Sequence, residues 1–130
     1  MNMLALVKTI LLVEDDVAFG YCATKAMEAA GFTVILSSSS LAALRELEGP
    51  GGIGLLLADV KMPPGQPHGI ALGLIARNRR ADLPIVLMTS FAEYARQASA
   101  EVFGRVMLKS EGMDAIVAEV AARLPRFGRA

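Results

Sequence analysis

Residues 9–16 have the sequence TILLVEDD, an apolar run of strand length that ends in three acidic side chains. An apolar run without polar alternation is typical of a strand that is buried on both faces, as in a parallel sheet. The same pattern returns at residues 55–58 and 85–88, and a polar residue follows each run. The sequence therefore predicts three central strands of a parallel sheet, with polar side chains at their carboxyl ends.

Two further strand-like segments and five segments of helical periodicity complete the pattern. Strands that alternate with helices predict an α/β fold, here a doubly wound five-stranded parallel sheet with helices on both faces. We predict the strands at residues 9–13, 32–36, 55–58, 85–88 and 106–108.

The boundaries of the first two helices follow from capping residues and helix breakers. Asp16 is placed to cap the first helix, and Gly31 is placed to end it. Ser40 is predicted to cap a short second helix over residues 41–47, which the glycine-rich stretch at residues 49–52 then breaks.

Three further helices are predicted downstream. The fourth is an alanine-rich segment over residues 92–100, and the last has an apolar stripe over residues 113–124, before Pro125. The third is predicted from four apolar residues, Ile70, Leu72, Leu74 and Ile75.

The composition of the 130 residues fits a single domain and excludes several functions. Apolar residues make up 54% of the chain, but no run approaches the roughly 18 apolar residues that a membrane span requires. Lys and Arg number 13, as do Asp and Glu, so no net charge draws the chain to nucleic acid. Cys22 is the only cysteine, which rules out an intramolecular disulfide. We expect a soluble, cytoplasmic protein that binds neither membranes nor nucleic acid directly.

Side chains that can do chemistry follow the predicted strands. Because the carboxyl ends of parallel strands form the ligand crevice of such a sheet, residues distant in sequence should converge there. Taken singly, each of these side chains is explained as a solvated loop residue, a strand end or a helix cap, but their joint placement indicates a site. In chain order they are Glu14, Asp15, Asp59, Thr89, Ser90 and Lys109.

The acidic residues of this crevice predict a metal ion and a phosphoryl group. Carboxylates gathered in one place raise each other's pKa unless a cation neutralises them. Oxygen ligands with no His or Cys nearby favour Mg²⁺. An aspartate beside a metal, a lysine and a hydroxyl can attack phosphorus while the cations stabilise charge on the phosphoryl oxygens. The product would be an aspartyl phosphate.

Four segments together carry a family resemblance: residues 12–16 (LVEDD), residues 59–63 (DVKMP), Thr89-Ser90 and Lys109. In order and spacing they resemble the receiver domain of bacterial response regulators, over about residues 8–124. The resemblance implies one receiver domain over residues 1–130 and the flavodoxin-like strand order 2-1-3-4-5.

The resemblance also implies roles in phosphoryl transfer. Asp59 would be the phosphoacceptor, Thr89 and Lys109 would bind phosphoryl oxygens, and Ser90 would be a cofactor-binding residue. A sensor histidine kinase or phosphotransfer protein would donate the phosphoryl group. Thr89 would then shift toward it and bias the fourth helix, fifth strand and fifth helix between two arrangements. Because residues 125–130 are too few for an output domain, we expect a downstream protein target or a homodimer through that surface.

A Mg²⁺ cofactor is implied as well. Asp15 and Asp59 would ligate it directly, Glu14 through water and Lys61 through its backbone carbonyl. Such a domain is not an enzyme beyond its own Mg²⁺-dependent self-phosphorylation and slow self-dephosphorylation. Lys61 and Phe91 lie two positions beyond the phosphoacceptor and the threonine, where they flank the path of attacking water, and we expect Phe91 to hinder that water.

Four departures from the family pattern bear on the switch. The loop between Pro63 and Gly69 is two residues longer than usual, and the stretch over residues 89–109 is about two residues shorter. Ser110 replaces the proline that commonly follows the lysine, which leaves open whether the peptide bond before it is cis or trans. Val106 replaces an aromatic residue that swings inward on activation in receivers, so this side chain cannot perform that movement.

Two other functions are consistent with parts of the sequence. A degenerate receiver would bind partners without phosphorylation, which the departures at Val106 and Ser110 allow and the complete set of site residues opposes. A hydrolase that turns over an aspartyl phosphate would resemble haloacid dehalogenase-type phosphatases. Those enzymes have a second Asp two residues after the nucleophile, where this chain has Lys61.

Overall fold

A parallel sheet forms the centre of the computed structural model, which describes residues 9–49, 52–62, 68–97 and 104–124. Its strands are β1 (Thr9–Val13), β2 (Thr33–Ser37), β3 (Ile53–Asp59), β4 (Ile85–Thr89) and β5 (Met107–Leu108). They are arranged in the order β2-β1-β3-β4-β5, and every neighbouring pair is parallel. The predicted fold class and strand order are therefore confirmed.

Helices cover both faces of this sheet. They are α1 (Val17–Ala29), α2 (Ser40–Glu48), α3 (Gly69–Arg79), α4 (Ala92–Gln97) and α5 (Met113–Arg123). In the part of the chain that the structure describes, no helix has the length and apolar content to cross a membrane.

The apolar residues of β1 show why helices must shield both faces of the sheet from water. Its side chains alternate between the faces, so Ile10 and Leu12 pack against α1 and α5, whereas Leu11 and Val13 pack on the side of α2, α3 and α4. All four are fully buried. The strand is apolar without interruption because neither face of it meets water.

The capping predictions are correct for α1 and wrong for α2. The Asp16 carboxylate accepts the backbone N–H of Phe19 at 3.1 Å, and Gly31, with a φ of 97°, follows the last turn. In α2 the cap is Ser39, whose hydroxyl accepts the N–H of Ala42 at 3.1 Å. Ser40 is instead the first helical residue and is buried. The helix begins one residue earlier than predicted because the extended backbone of Ser39 aims its hydroxyl at the first turn.

Other boundaries differ from the prediction by one or two residues. Phe32 lies outside β2, and Val106 precedes β5 rather than belonging to it. Leu74 was predicted on the apolar face of α3 but is 51% exposed. Gly73 and Ala76 face the core instead, because small side chains let this helix lie close to the sheet. The predicted long loop at residues 63–67, residues 98–100 of the predicted fourth helix and Pro125 fall outside the described residues.

We expect Ser39→Ala to destabilise the folded domain by about 1 kcal/mol, because it removes the hydroxyl that caps α2. The measurement is urea denaturation of the variant and the parent protein. Ser38→Ala is the matched control, since Ser38 is exposed and lies outside the helix. The control should stay within about 0.5 kcal/mol of the parent protein. Equal losses in both variants would contradict the cap assignment.

Candidate functional site

The carboxyl ends of the strands meet at one open cleft. Glu14 follows β1, Asp59 ends β3, Thr89 ends β4 and Lys109 follows β5. The cleft has a volume of about 460 Å³ and is lined mainly by charged side chains. Its lining residues are Glu14, Asp15, Asp16, Asp59, Lys61, Met62, Ser90, Phe91 and Lys109.

Lys109 joins two of the strand ends. Its Nζ lies 2.6 Å from Glu14 Oε1 and 2.9 Å from Asp59 Oδ2. The Lys109 side chain is only 13% exposed, so these ion pairs are shielded from water. Charge-assisted hydrogen bonds of this length are among the stronger polar contacts in proteins. The ammonium group therefore fixes the distance between the two carboxylates.

Asp59 is held by its backbone as well as by Lys109. Its Oδ1 accepts the backbone N–H of Lys61 at 3.1 Å. The next residue, Val60, donates its N–H to Met88 O at 2.8 Å and accepts the N–H of Gly69 at 2.7 Å. The Lys61 N–H therefore orients the carboxylate directly, and the contacts of Val60 with β4 and the start of α3 hold the adjacent backbone.

Glu14 is the most buried carboxylate of the group, with 3% of its surface exposed. Burial raises its pKa above the usual range, while the hydrogen bond from Lys109 and the N–H of Asp16 oppose that change. The negative charge of Asp59 raises it further, but less than burial does. The sequence-based expectation that neighbouring charges raise the pKa therefore had the right direction and named the smaller cause.

The pKa of Lys109 is raised for the opposite reason. Burial alone would lower it, but the hydrogen bonds with Asp59 and Glu14, together with their negative charges, outweigh burial. The side chain is therefore an ammonium ion at neutral pH. A permanent positive charge at this point can stabilise an anion that enters the cleft.

Three carboxylates in the cleft could bind a metal ion. Glu14, Asp15 and Asp59 each offer an oxygen, and these atoms lie within 4.8 Å of one another. Two oxygens on opposite sides of one Mg²⁺ would be about 4.2 Å apart. The carboxylate oxygens would therefore need to move together only slightly to bind the ion. Four acidic residues and two lysines line the cleft, and a divalent cation would balance the remaining negative charge. The predicted Mg²⁺ site therefore fits its donor atoms.

The two polar residues at the end of β4, Thr89 and Ser90, have different surroundings. Thr89 is fully buried, and its hydroxyl accepts the backbone N–H of Phe91 at 3.1 Å. Ser90 is exposed and lines the cleft. The threonine is therefore connected to the residue that precedes α4, whereas the serine is open to a ligand.

Both lysines of the cleft contact aromatic rings, and the contact between Lys109 and Phe19 is one that the sequence analysis missed. Lys109 Nζ lies 4.2 Å from the centroid of the Phe19 ring, and Lys61 Nζ lies 5.1 Å from that of Phe91. Phe91 in turn meets Tyr94 edge to face at 5.4 Å. The position of Phe19 in the first turn of α1, shortly after the acidic run, was the signal that could have located it at the site.

His68 also has a contact that sequence reasoning did not assign. Its Nδ1 accepts the backbone N–H of Ala71 at 3.3 Å and so caps α3. The imidazole is exposed and is not among the residues that line the acidic cleft. The contact explains this lone histidine structurally.

Comparison with known proteins places this site in a family context. No protein-family model matches the chain. The sensor kinase CckA of Brucella abortus (strain 2308) is 31% identical over 96 residues, which are 72% of this chain. The chain spans about 10% of the length of that relative.

Solved structures cover nearly the whole chain. The response regulator TrrA of Thermotoga maritima, in complex with Mg²⁺-BeF, has a TM-score of 0.78 at 21% identity and covers 89% of this chain and 98% of its own. The receiver domain of the hybrid histidine kinase CckA has a TM-score of 0.73 at 25% identity, with coverages of 90% and 99%. This chain has the fold of a response regulator receiver domain. The family resemblance predicted from the sequence is confirmed.

Two of the departures from other receivers can be located. Val106 is buried and packs with the core residues on the side of α2, α3 and α4. No peptide bond within the described residues is cis, and the bond between Lys109 and Ser110 is among them. The metal-binding role of the Lys61 carbonyl stays a prediction.

Gly69 explains how α3 can start so close to Asp59 at the end of β3. A Cβ atom at this residue would lie 2.2 Å from Asp59 O and 2.8 Å from Val60 Cα. Both neighbours are backbone atoms, so a side chain could enter only if the strand end moved. Glycine is therefore required here by space.

We expect Gly69→Ala to destabilise the domain by about 2 kcal/mol, because overpacking against backbone forces the end of β3 to move. Urea denaturation measures the loss, and the backbone amide NMR signals of residues 59–61 report the movement. Gly49→Ala is the control, since a Cβ there would meet nothing closer than 3.6 Å. A tolerated Gly69→Ala with unmoved signals would show that this contact is not rigid.

Proposed function

We propose that this receiver is a phosphorylation-activated switch that takes a phosphoryl group onto Asp59 in a Mg²⁺-dependent reaction. The observation that carries the proposal is that the Asp59 carboxylate lies beside both the Lys109 ammonium and the carboxylates of Glu14 and Asp15. A nucleophile, a fixed cation and a set of oxygen ligands for a divalent metal are the components that phosphoryl transfer to aspartate needs.

The proposed reaction moves a phosphoryl group between two nucleophiles. A carboxylate oxygen of Asp59 forms a bond to phosphorus, and the bond from phosphorus to the donor imidazole nitrogen breaks. The bonding electron pair leaves with the imidazole. Lys109 Nζ is 2.9 Å from Asp59 Oδ2, so it lies where it can neutralise charge on the transferred phosphoryl oxygens. Ser90, exposed at the same cleft, is assigned to the binding of the same group.

The proposed metal ligands are Asp15, Asp59 and the backbone carbonyl of Lys61, with Glu14 acting through water. When bound, Mg²⁺ would draw charge from the phosphoryl oxygens and hold the group in line for transfer. The likeness to TrrA, whose structure contains Mg²⁺-BeF, supports this assignment. Glu14 is held by Lys109 and by the N–H of Asp16, which favours an indirect role for it.

The proposed output begins at Thr89. Its hydroxyl is bonded to the N–H of Phe91, directly before α4, so a shift of Thr89 toward a phosphoryl group would break that bond and release the start of α4. The surface formed by α4, β5 and α5 would then bind a downstream protein or a second copy of the chain. The donor would be a sensor histidine kinase or a phosphotransfer protein in the cytoplasm. The likeness to the kinase CckA and its receiver domain supports this class of partner.

We expect Asp59→Asn to abolish Mg²⁺-dependent labelling by acetyl phosphate while the domain stays folded, because the amide keeps the shape and removes the nucleophile. Labelling of the parent protein should also stop when EDTA removes the metal. Phosphate-affinity electrophoresis and intact-protein mass spectrometry measure the product.

Asp16→Asn is the matched control for that experiment. Asp16 lines the same cleft but caps α1, a role that asparagine also fills, so labelling should remain within about twofold of the parent protein. Undiminished labelling of Asp59→Asn would contradict the proposed acceptor. A parent protein that takes up no phosphoryl group would support the alternative of an interaction module that acts without phosphorylation.

We further propose that self-dephosphorylation is slow. The Lys61 ammonium lies over the Phe91 ring, and together these side chains form one wall of the cleft. A phenyl ring excludes water by bulk and offers no hydrogen bond to orient it for in-line attack. Lys61 could instead stabilise the charge of the transition state, but its solvent-exposed ammonium gains little in water.

We expect Phe91→Glu to speed loss of the phosphoryl group roughly tenfold, because a carboxylate would orient the attacking water. Phe91→Leu is the control, since it keeps an apolar side chain and supplies no acceptor. The measurement is the decay of phosphorylated protein after removal of acetyl phosphate. Equal half-lives for the parent protein and Phe91→Glu, or a slower decay in Lys61→Ala, would show that water exclusion is not the controlling factor.

A further inference from the structure

Lys109 begins a short turn that has little support from the sheet. The strand before it, β5, consists of only Met107 and Leu108 and pairs on one side with β4. Residues 109–111 then form a single 3-10 turn, which the hydrogen bond from Gly112 N to Lys109 O at 3.1 Å closes. Two paired residues at a sheet edge hold a side chain less firmly than the long central strands do.

Glu111 provides the missing support by closing the turn back onto the strand. Its Oε2 accepts the backbone N–H of Leu108 at 2.8 Å. Both of its carboxylate oxygens lie 3.0 Å from Arg105 Nη1. The Glu111 side chain therefore connects the end of the turn to Leu108, directly before Lys109, and to Arg105 in the segment that leads into β5.

The two contacts of Glu111 differ in what they can hold. The ion pair with Arg105 is exposed to solvent, and exposed pairs contribute little to structure. The bond to Leu108 N–H is short, and it binds backbone rather than a flexible side chain. It also satisfies an N–H at the open edge of the sheet, where no further strand of the described residues follows β5. The backbone bond is the contact that fixes the turn.

We propose that Glu111 is a positioning residue for phosphoryl transfer: its bond to Leu108 N–H fixes the turn from which Lys109 reaches Asp59 and Glu14. The proposal rests on the function proposed above. Lys109 must bring its Nζ within hydrogen-bond distance of two carboxylates on different strands, and a small displacement of its backbone would lengthen both contacts. The turn uses Glu111 to hold a Lys-Ser sequence that has no proline to stiffen it.

The first test separates the two contacts of Glu111. We expect Glu111→Ala to slow the acetyl phosphate labelling of Asp59 roughly tenfold, because misplacement of a catalytic cation is costly. Glu111→Gln keeps an oxygen for Leu108 N–H and loses the charge, so its rate should stay within about twofold of the parent protein. Arg105→Gln should behave in the same way. A Glu111→Gln variant as slow as Glu111→Ala would overturn the assignment to the backbone bond.

The second test asks whether Glu111 acts through Lys109. In a Lys109→Ala background, adding Glu111→Ala should cause no further loss of labelling rate, because the group that is positioned is already absent. A second tenfold loss in that background would overturn the proposal. Glu111→Asp serves if the alanine variant fails to fold, since it keeps the charge but is too short to span the turn. It is expected to be slow as well.

A readout without phosphorylation distinguishes this proposal from the proposed function. The NMR signals of the Lys109 ammonium group report its contacts with Glu14 and Asp59 directly. They should shift in Glu111→Ala and stay in place in Glu111→Gln and in Glu46→Ala, an exposed acidic control on α2. Unchanged signals in Glu111→Ala would overturn the positioning role. If the Lys109 signals shift in Glu111→Ala as expected but the parent protein takes up no phosphoryl group, the proposed function alone is overturned.

Discussion

The contact of the Lys109 ammonium with the carboxylates of Glu14 and Asp59 is the interaction on which the cleft depends. Both carboxylates are largely buried, and a buried charge is costly unless an opposite charge and hydrogen bonds compensate it. The three residues belong to the ends of β1, β3 and β5, so the contact forms only when the strands are parallel and in the observed order. The sheet places the charges, and Lys109 keeps the two carboxylates together.

The centre and the edge of this arrangement are held in different ways. β1 and β3 are fully covered by helices, and their apolar side chains leave the acidic residues at their ends little freedom. Lys109 follows an edge strand of only two residues, and contacts with neighbouring side chains provide the support that this short strand lacks. The ring of Phe19 lies beside its ammonium group, and the carboxylate of Glu111 closes the turn behind it. The switching function proposed above would fit such an edge, because a group that responds to a ligand is not expected in the most rigid part of a core.

Particular residues show how far local sequence rules reach. The central strands were predicted to within two residues at each end, because a run that is apolar on both faces has few alternatives in a chain of this size. The cap of α2 was assigned to Ser40 rather than Ser39, because four consecutive serines offer the same hydroxyl and only the backbone angles select one. Leu74 was placed on a core face because it is apolar, but α3 lies so near the sheet that glycine and alanine occupy that face. Capping by His68 was missed because histidine is an uncommon cap.

The sequence by itself determined the kinds of groups at the cleft, the strands that carry them and therefore the fold class, because strand periodicity and short motifs are local properties of the chain. Only the tertiary structure decided which groups touch. Lys109 meets Glu14 across 95 positions of sequence, and Glu111 reaches back to Leu108 only because a 3-10 turn folds between them. The dominant effect of burial on the pKa of Glu14 was likewise decided by packing. Distances between side chains on different strands depend on register, twist and helix packing, and these properties follow from the whole core rather than from any one segment.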